Sequence, residues 1–269
     1  MIQILAGSDT TATTIRVVML YLMSTPRAYR ALQAEIDEGI RAGRISSPIT
    51  SAEAQNMPYL QVSDRPPLPP APIRISYSLA PFPFLQQAVI IETLRLFPPF
   101  TGLPFKAVPP QGDTIDGKHV PGGTLIAPNF WTTGRNRALF GEDAEVFRPE
   151  RWLEADAAAA ATGDRERRAE MRRVAELAFG YGRWGCAGKM IAFLELNKVF
   201  VEVSSLGLDP GVWGALMRFV LMNIPSQLLR QFDFQLVNPA QPWKSVNYNL
   251  FFQSDMWVSV ALRETEAEK

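Results

Sequence analysis

Phe179-Gly-Tyr-Gly-Arg-Trp-Gly-Cys-Ala-Gly188 is the stretch on which the reading of this chain turns. It holds four glycines, Gly180, Gly182, Gly185 and Gly188, and the only cysteine of the sequence, Cys186. The apolar residues over 189–202 repeat with a helical period, so Cys186 stands where a loop becomes a helix. That setting stabilises a thiolate, because free N–H groups and the positive end of the helix dipole favour negative charge. The glycines permit tight turns and let the backbone lie against a large flat ligand where a Cβ would collide. From the loop alone two readings stand: a thiolate ligand at a cofactor surface, and a lone buried structural cysteine.

Working outward, the chain reads as mainly α-helical with a minor β part. Residues 2–23 are helix formers or β-branched, and Ser24-Thr25-Pro26 then offers a cap followed by proline at a first helical position. The next segment, 27–40, places Ala31, Leu32, Ile36 and Ile40 on one face of a helix. The run 88–97 is helical in pattern and is stopped by Pro98 and Pro99. Between 102 and 129, Pro and Gly turn signals alternate with short β-compatible runs, which predicts small antiparallel strands. The segment 136–152 reads as irregular loop, and the Ala-rich then charge-dense stretch 157–173 as a solvated insert or exposed helix.

Composition closes off several function classes. Lys plus Arg and Asp plus Glu both number 27, so a net charge of zero provides no electrostatic footprint for nucleic acid. One Cys and one His exclude a disulfide framework and any Cys/His metal cage. His119, next to Val120-Pro-Gly-Gly, is expected in a solvated turn without a ligand role. The first residues lack the features of a signal peptide, and no apolar run approaches the ~20 residues of a membrane span. The chain as written is therefore expected to carry no membrane anchor.

The loop 179–188 resembles the haem-binding loop of the cytochromes P450, Phe-Gly-x-Gly-x-Arg-x-Cys-x-Gly. Three further signatures stand in that family's order: Ala6-Gly7-Ser8-Asp9-Thr10, Glu92-Thr-Leu-Arg95 and Phe147-Arg-Pro-Glu-Arg151. The resemblance implies the C-terminal portion of the P450 fold and haem b, its iron bound axially by the Cys186 thiolate. It implies that Gly7, Phe179, Gly182, Arg183, Cys186 and Gly188 meet the cofactor, and that Asp9 and Thr10 relay protons. It further implies that Glu92, Arg95 and Arg151 form a buried structural triad. A Glu and Arg three apart on a helix surface would be worth only ~0.2–0.5 kcal/mol. In a buried triad, losing one partner would cost ~3–5 kcal/mol.

The implied reaction is a monooxygenation: dioxygen and two electrons from NADPH, delivered by NADPH–cytochrome P450 reductase, put one oxygen atom into a small hydrophobic organic substrate. The resemblance is to fungal microsomal members of the pisatin demethylase-like group, which implies a secondary-metabolite substrate and, for the full-length family member, the endoplasmic reticulum membrane. The alternatives are a catalytically inactive fragment or misassigned gene product and, behind it, a P450-fold isomerase or dehydratase.

The sequence departs from the family in three respects. The Arg two residues before the cysteine, which would pair with a haem propionate, is Trp184 here, with Arg183 beside it as a possible substitute. The resemblance begins inside the oxygen-binding helix, so residues 1–269 are expected to be a truncated P450 domain, its haem-thiolate half. Finally, 62–87 and 203–227 interrupt runs that otherwise join Met57-Pro-Tyr-Leu-Gln61 to Ala88 and Val199-Phe-Val-Glu202 to Leu228. Both begin Val-Ser, which GTGAGT encodes, and end in Gln, which CAG encodes, the borders of an intron. They read as retained introns, or else as a family insertion comprising a Pro-rich linker and an extra amphipathic helix.

Overall fold

The computed structural model describes residues 2–41, 84–162, 165–201, 229 and 232–263. Most of segments 62–87 and 203–227 lies outside these residues.

The centre of the fold is a helix with no solvent side. Helix α1 spans Ile2–Ser24 and α2 spans Pro26–Arg41, separated by Thr25. The third, α3 (Phe84–Leu96), ends before Phe97 and the Pro98-Pro99 pair. From Ala88 to Leu96 every residue is buried, including Glu92, Thr93 and Arg95. A helix of this kind needs neighbours on each side. It packs against α1 and α2, and against α6 (Glu150–Thr162), α7 (Arg165–Glu176) and α8 (Lys189–Val201).

Three details differ from the sequence pattern. In α2 the buried stripe is Ala28, Leu32 and Ile36, four apart, while Ala31 is exposed. Nor is α7 a solvated insert: Met171 and Ala175 are buried, because α3 requires cover where α7 crosses it. The 136–152 segment also contains a short helix, α5 (Arg137–Phe140), whose Asn136 side chain accepts from the Ala138 N–H at 2.9 Å. A similar one, α4 (Phe130–Thr133), is capped by Asn129.

Among the described residues the strands form four antiparallel pairs. Strand β1 (Lys106–Ala107) pairs with β4 (Leu125–Ile126), and β2 (Asp113–Ile115) with β3 (Lys118–Val120). Near the C-terminus β5 (Phe232–Leu236) pairs with β8 (Val258–Leu262), enclosing the hairpin β6 (Lys244–Tyr248) and β7 (Leu250–Ser254). His119 is exposed on β3 opposite Thr114, in a hairpin strand rather than its turn. The C-terminal strands are bound to α2: the Gln33 amide donates to the Leu229 carbonyl at 3.1 Å and to Asp233 at 2.9 Å, and Arg263 pairs with Asp37 at 2.8 Å. Among the described residues no helix is long and apolar enough to cross a membrane.

Candidate functional site

Buried in α3, Glu92 is surrounded by donors from sequence positions up to 60 residues away. Its Oε1 accepts from Arg95 Nη2 at 2.7 Å, Arg151 Nε at 2.9 Å and the Arg148 N–H at 3.0 Å. Its Oε2 accepts from Arg95 Nε at 2.8 Å and Trp152 Nε1 at 2.9 Å. The Arg95 fork is therefore bidentate. The structure brings Glu92, Arg95 and Arg151 together, and it adds two groups that the sequence did not single out, Trp152 and Asp143.

Asp143 Oδ1 accepts from Arg151 Nη1 at 3.1 Å, so two carboxylates face two guanidiniums. Burial alone would raise the Asp143 carboxyl, but the bonds and charges of Arg151 and Arg148 outweigh it and hold the group below its ordinary range. The remaining guanidinium hydrogens grip the backbone of the 134–146 segment. Arg95 Nη1 donates to the carbonyls of Gly134 at 2.6 Å and Ala144 at 2.5 Å; Arg151 Nη1 donates to that of Phe140 at 2.7 Å, and Nη2 to that of Asp143 at 2.9 Å. Gly134 is obligatory here, since a Cβ would stand 2.1 Å from the Arg95 carbonyl oxygen. The segment is thus tied to α3 and α6 in addition to its own turn and helix hydrogen bonds.

Beyond α7, residues 177–188 form the Cys186 loop, closed at both ends. Glu176, the last residue of α7, receives Lys189 Nζ at 2.8 Å from the first residue of α8, and Arg172 Nε at 2.6 Å. Burial pushes the Glu176 carboxyl up, but the Arg172 charge and the bonds from Lys189 and Arg172 win and hold it below the ordinary glutamate range. Inside the loop the Cys186 N–H donates to the Phe179 carbonyl at 2.6 Å, and the Phe179 ring packs on Phe193 of α8 at 5.3 Å. Gly180 adopts φ +75°, and a Cβ there would lie 2.5 Å from the Trp184 carbonyl oxygen. Cys186 itself is exposed, which removes the reading as a buried structural thiol.

The other loop residues named from sequence are also at the surface. Gly182, at φ +58°, has open space where a Cβ would be, and Gly188 lies beside the Cys186 sulfur. Arg183 is exposed, its guanidinium 4.9 Å from the centre of the exposed Trp184 ring. Met190 and Ile191, in the first turn of α8, are exposed as well.

On α1, Gly7 is exposed and a Cβ would meet nothing within 4 Å. Asp9 is exposed, and the half-buried Thr10 donates its hydroxyl to the Ala6 carbonyl at 2.7 Å, the back-bond of a helical threonine. Among the described residues no hydrogen bond or ion pair joins Gly7, Asp9 or Thr10 to the Cys186 loop. The link between the two is packing of α1 on α8, where Glu195 accepts from Thr11. Burial pushes the Glu195 carboxyl above its ordinary range, and the Thr11 hydroxyl opposes that rise.

The loop chemistry fits haem. One exposed thiol, an open glycine flank, exposed apolar side chains and a nearby guanidinium match a flat macrocycle with an iron and carboxylate arms. Among the described residues no group of three or more His, Cys, Asp or Glu is placed to hold a metal ion, so Cys186 offers a single-ligand site.

Comparison with known proteins yields one family. The model described as cytochrome P450 matches residues 1–63 and 78–203. The chain is 40% identical over 263 residues to the cytochrome P450 monooxygenase ABA1 of Pyricularia oryzae, covering 97% of this chain and 40% of the relative. It is 36% identical over 265 residues to the cytochrome P450 monooxygenase aba1 of Botryotinia fuckeliana, covering 98% and 40%. With the cytochrome P450 monooxygenase abl1 of Leptosphaeria maculans, identity is 36% over 245 residues, 91% of this chain and 33% of the relative. The chain thus spans well under half the length of these relatives.

Proposed function

Because the chain belongs to the cytochrome P450 family, we propose that its Cys186 loop carries haem b through the thiolate and that the protein acts as a monooxygenase. In the overall reaction one atom of dioxygen enters a C–H bond of a small hydrophobic substrate. The other leaves as water, with two protons and two electrons from NADPH by way of its P450 reductase. Haem bound at Cys186 supplies the iron at which dioxygen is activated, and its thiolate donates the electron density that favours O–O cleavage. The observation that carries this reading is the single exposed thiol in a glycine loop whose two ends are tied by Glu176 and Lys189.

This chain's residues divide the work. Cys186, exposed just before the start of α8, offers its sulfur to the iron. Glu176 and Lys189 keep the loop ends together, and Phe179 anchors the loop on Phe193. Arg95 and Arg151, themselves held by Glu92, fix the 134–146 backbone. Gly7 leaves room beside α1 for a small ligand. Thr10 holds a proton at Oγ1, shared with the Ala6 carbonyl, and the exposed Asp9 carboxylate draws replacement protons from solvent. The motif resemblance extends the proposal to a secondary-metabolite substrate and, for the complete protein, the endoplasmic reticulum membrane.

We further propose that 62–87 and 203–227 are retained-intron insertions in a P450 domain. The family match breaks between 63 and 78 and stops at 203, which supports this, and cDNA across both segments decides it. For the haem-thiolate reading the test is the carbon monoxide difference spectrum of the reduced, haem-loaded chain. A thiolate-type band that Cys186→Ser abolishes is the expected result, and the same band in wild type and variant would refute the assignment.

A further inference from the structure

One turn on from Gly7, on the same side of α1, stand two threonines whose hydroxyls are used differently, Thr10 and Thr11. Thr10 donates to the Ala6 carbonyl at 2.7 Å, and a carbonyl oxygen has no proton to give back. Among the described residues no hydrogen bond joins Thr10 to Asp9, which is exposed. Thr11 is buried and donates instead to the Glu195 carboxylate of α8. Glu195 is half-buried, and among the described residues no cation pairs with it. Charged residues on the elements packed against α8 lie in solvent or in other pairs: Asp9 and Arg16 of α1 are exposed, and Glu92 and Arg95 of α3 bind each other. On α8 itself, Lys189 is held by Glu176. Burial, opposed only by the Thr11 hydroxyl, therefore lifts the Glu195 carboxyl above the ordinary glutamate range.

We propose that Glu195 is a positioning residue that keeps a proton available at the Thr11 hydroxyl, giving the space beside Gly7 a second, internal proton store. The inference rests on the reading of the site as a monooxygenase, whose reaction consumes two protons for each dioxygen. Thr11 Oγ1 gives its proton to the ligand beside Gly7, and the O–H bond of the protonated Glu195 carboxyl breaks as a new one forms at Oγ1. Thr11 is thereby restored and Glu195 is left as a carboxylate, which regains its proton from solvent through its half-exposed side; no electron moves. Asp9 serves the groove from the exposed side of α1. Glu195 serves it from the packed side, where burial favours the acid form that a proton donor needs.

The first test needs no haem. Carbon NMR of the glutamate carboxyls in the full chain, with Glu195→Gln identifying the resonance, places the Glu195 titration midpoint above that of the solvated glutamates. Thr11→Val removes the hydroxyl that opposes the rise and moves the midpoint higher still, while Thr11→Ser returns it to the wild-type value and guards against a packing defect. The second test loads haem and follows dioxygen uptake, driven by NADPH and its P450 reductase, as a function of pH. Wild-type uptake falls as pH rises through the Glu195 midpoint, because the acid form is the donor. Glu195→Gln keeps the shape of the side chain but has no carboxyl proton to release, so it slows uptake by roughly 10-fold or more and flattens that fall. Thr11→Val acts in the same way, and Thr11→Ser keeps most of the rate. A midpoint in the ordinary glutamate range, a midpoint indifferent to Thr11→Val, or uptake by Glu195→Gln with the wild-type rate and pH profile overturns the store. Failure of the monooxygenase reading is a different result: wild type lacks the thiolate-type carbon monoxide band and takes up no dioxygen, while the Glu195 midpoint still responds to Thr11→Val.

Discussion

The Glu92 cluster and the Cys186 loop are built on opposite principles. Around Glu92 both carboxylate oxygens and both guanidinium forks are answered by partners, and Glu92, Arg95, Arg151 and Trp152 are buried. In the loop the ends are tied, yet the middle offers an exposed sulfur, an open glycine flank and the exposed Arg183. A fully satisfied ionic cluster is a fastening; polar groups left unanswered on a rigid frame are a place for a ligand. Charged and conspicuous residues in a sequence can belong to either kind, and the number of partners each finds in the fold tells them apart.

Breaking the cluster should have the largest effect. Glu92→Ala leaves two buried guanidiniums without their shared anion and should cost ~3–5 kcal/mol in urea denaturation, enough to unfold a marginal domain. Trp152→Phe keeps the ring packing but removes one donor to a buried carboxylate, for a loss of about 1.5–3 kcal/mol by the same measurement. Glu176→Gln loosens the loop closure, with about 1 kcal/mol at stake because its partners are partly solvated. It also sharpens the comparison through pH. Glu176 is held below the ordinary glutamate range, so its stabilisation is complete above that range and is lost as pH falls through the lowered value. The variant should therefore show a shallower acid limb in a stability-against-pH profile. Cys186→Ser should change stability least, within ~0.5 kcal/mol, because the thiol is exposed. A large destabilisation by Cys186→Ser, or a negligible one by Glu92→Ala, would erase the distinction between fastening and ligand site.

Much of this was legible in the sequence, unevenly. The order of four motifs located α1, α3, the Arg151 helix and the loop, and Pro98 and Pro99 marked where α3 ends. Asp143 was not legible, because it sits in a stretch without periodicity whose shape is imposed by Arg95 and Arg151 from other elements. Trp152 carried a usable signal that went unread: a buried indole next to a triad arginine needs an acceptor. The stripe on α2 was placed correctly at Leu32 and Ile36 but wrongly at Ala31, because alanine suits either side and only the packing of Ala28 decides between them. The buried face of α7 was hidden by its many arginines, which outnumber the two buried positions Met171 and Ala175 in that stretch of sequence. Glu195 could not be connected to Thr11 from sequence, since α1 and α8 meet only in space.

The bonds joining α2 to the C-terminal strands also bear on how the chain is made. Gln33 waits for Asp233, 200 residues later, and Asp37 waits for Arg263, 226 residues later. At ~5–20 residues per second of synthesis, α2 stands without these partners for roughly 10–45 s. During that interval Gln33 and Asp37 lack these partners, and the final seating of α2 must follow the arrival of β8 and Arg263 from the ribosome. Translation speed and early-binding chaperones therefore act on this helix before the folded protein exists.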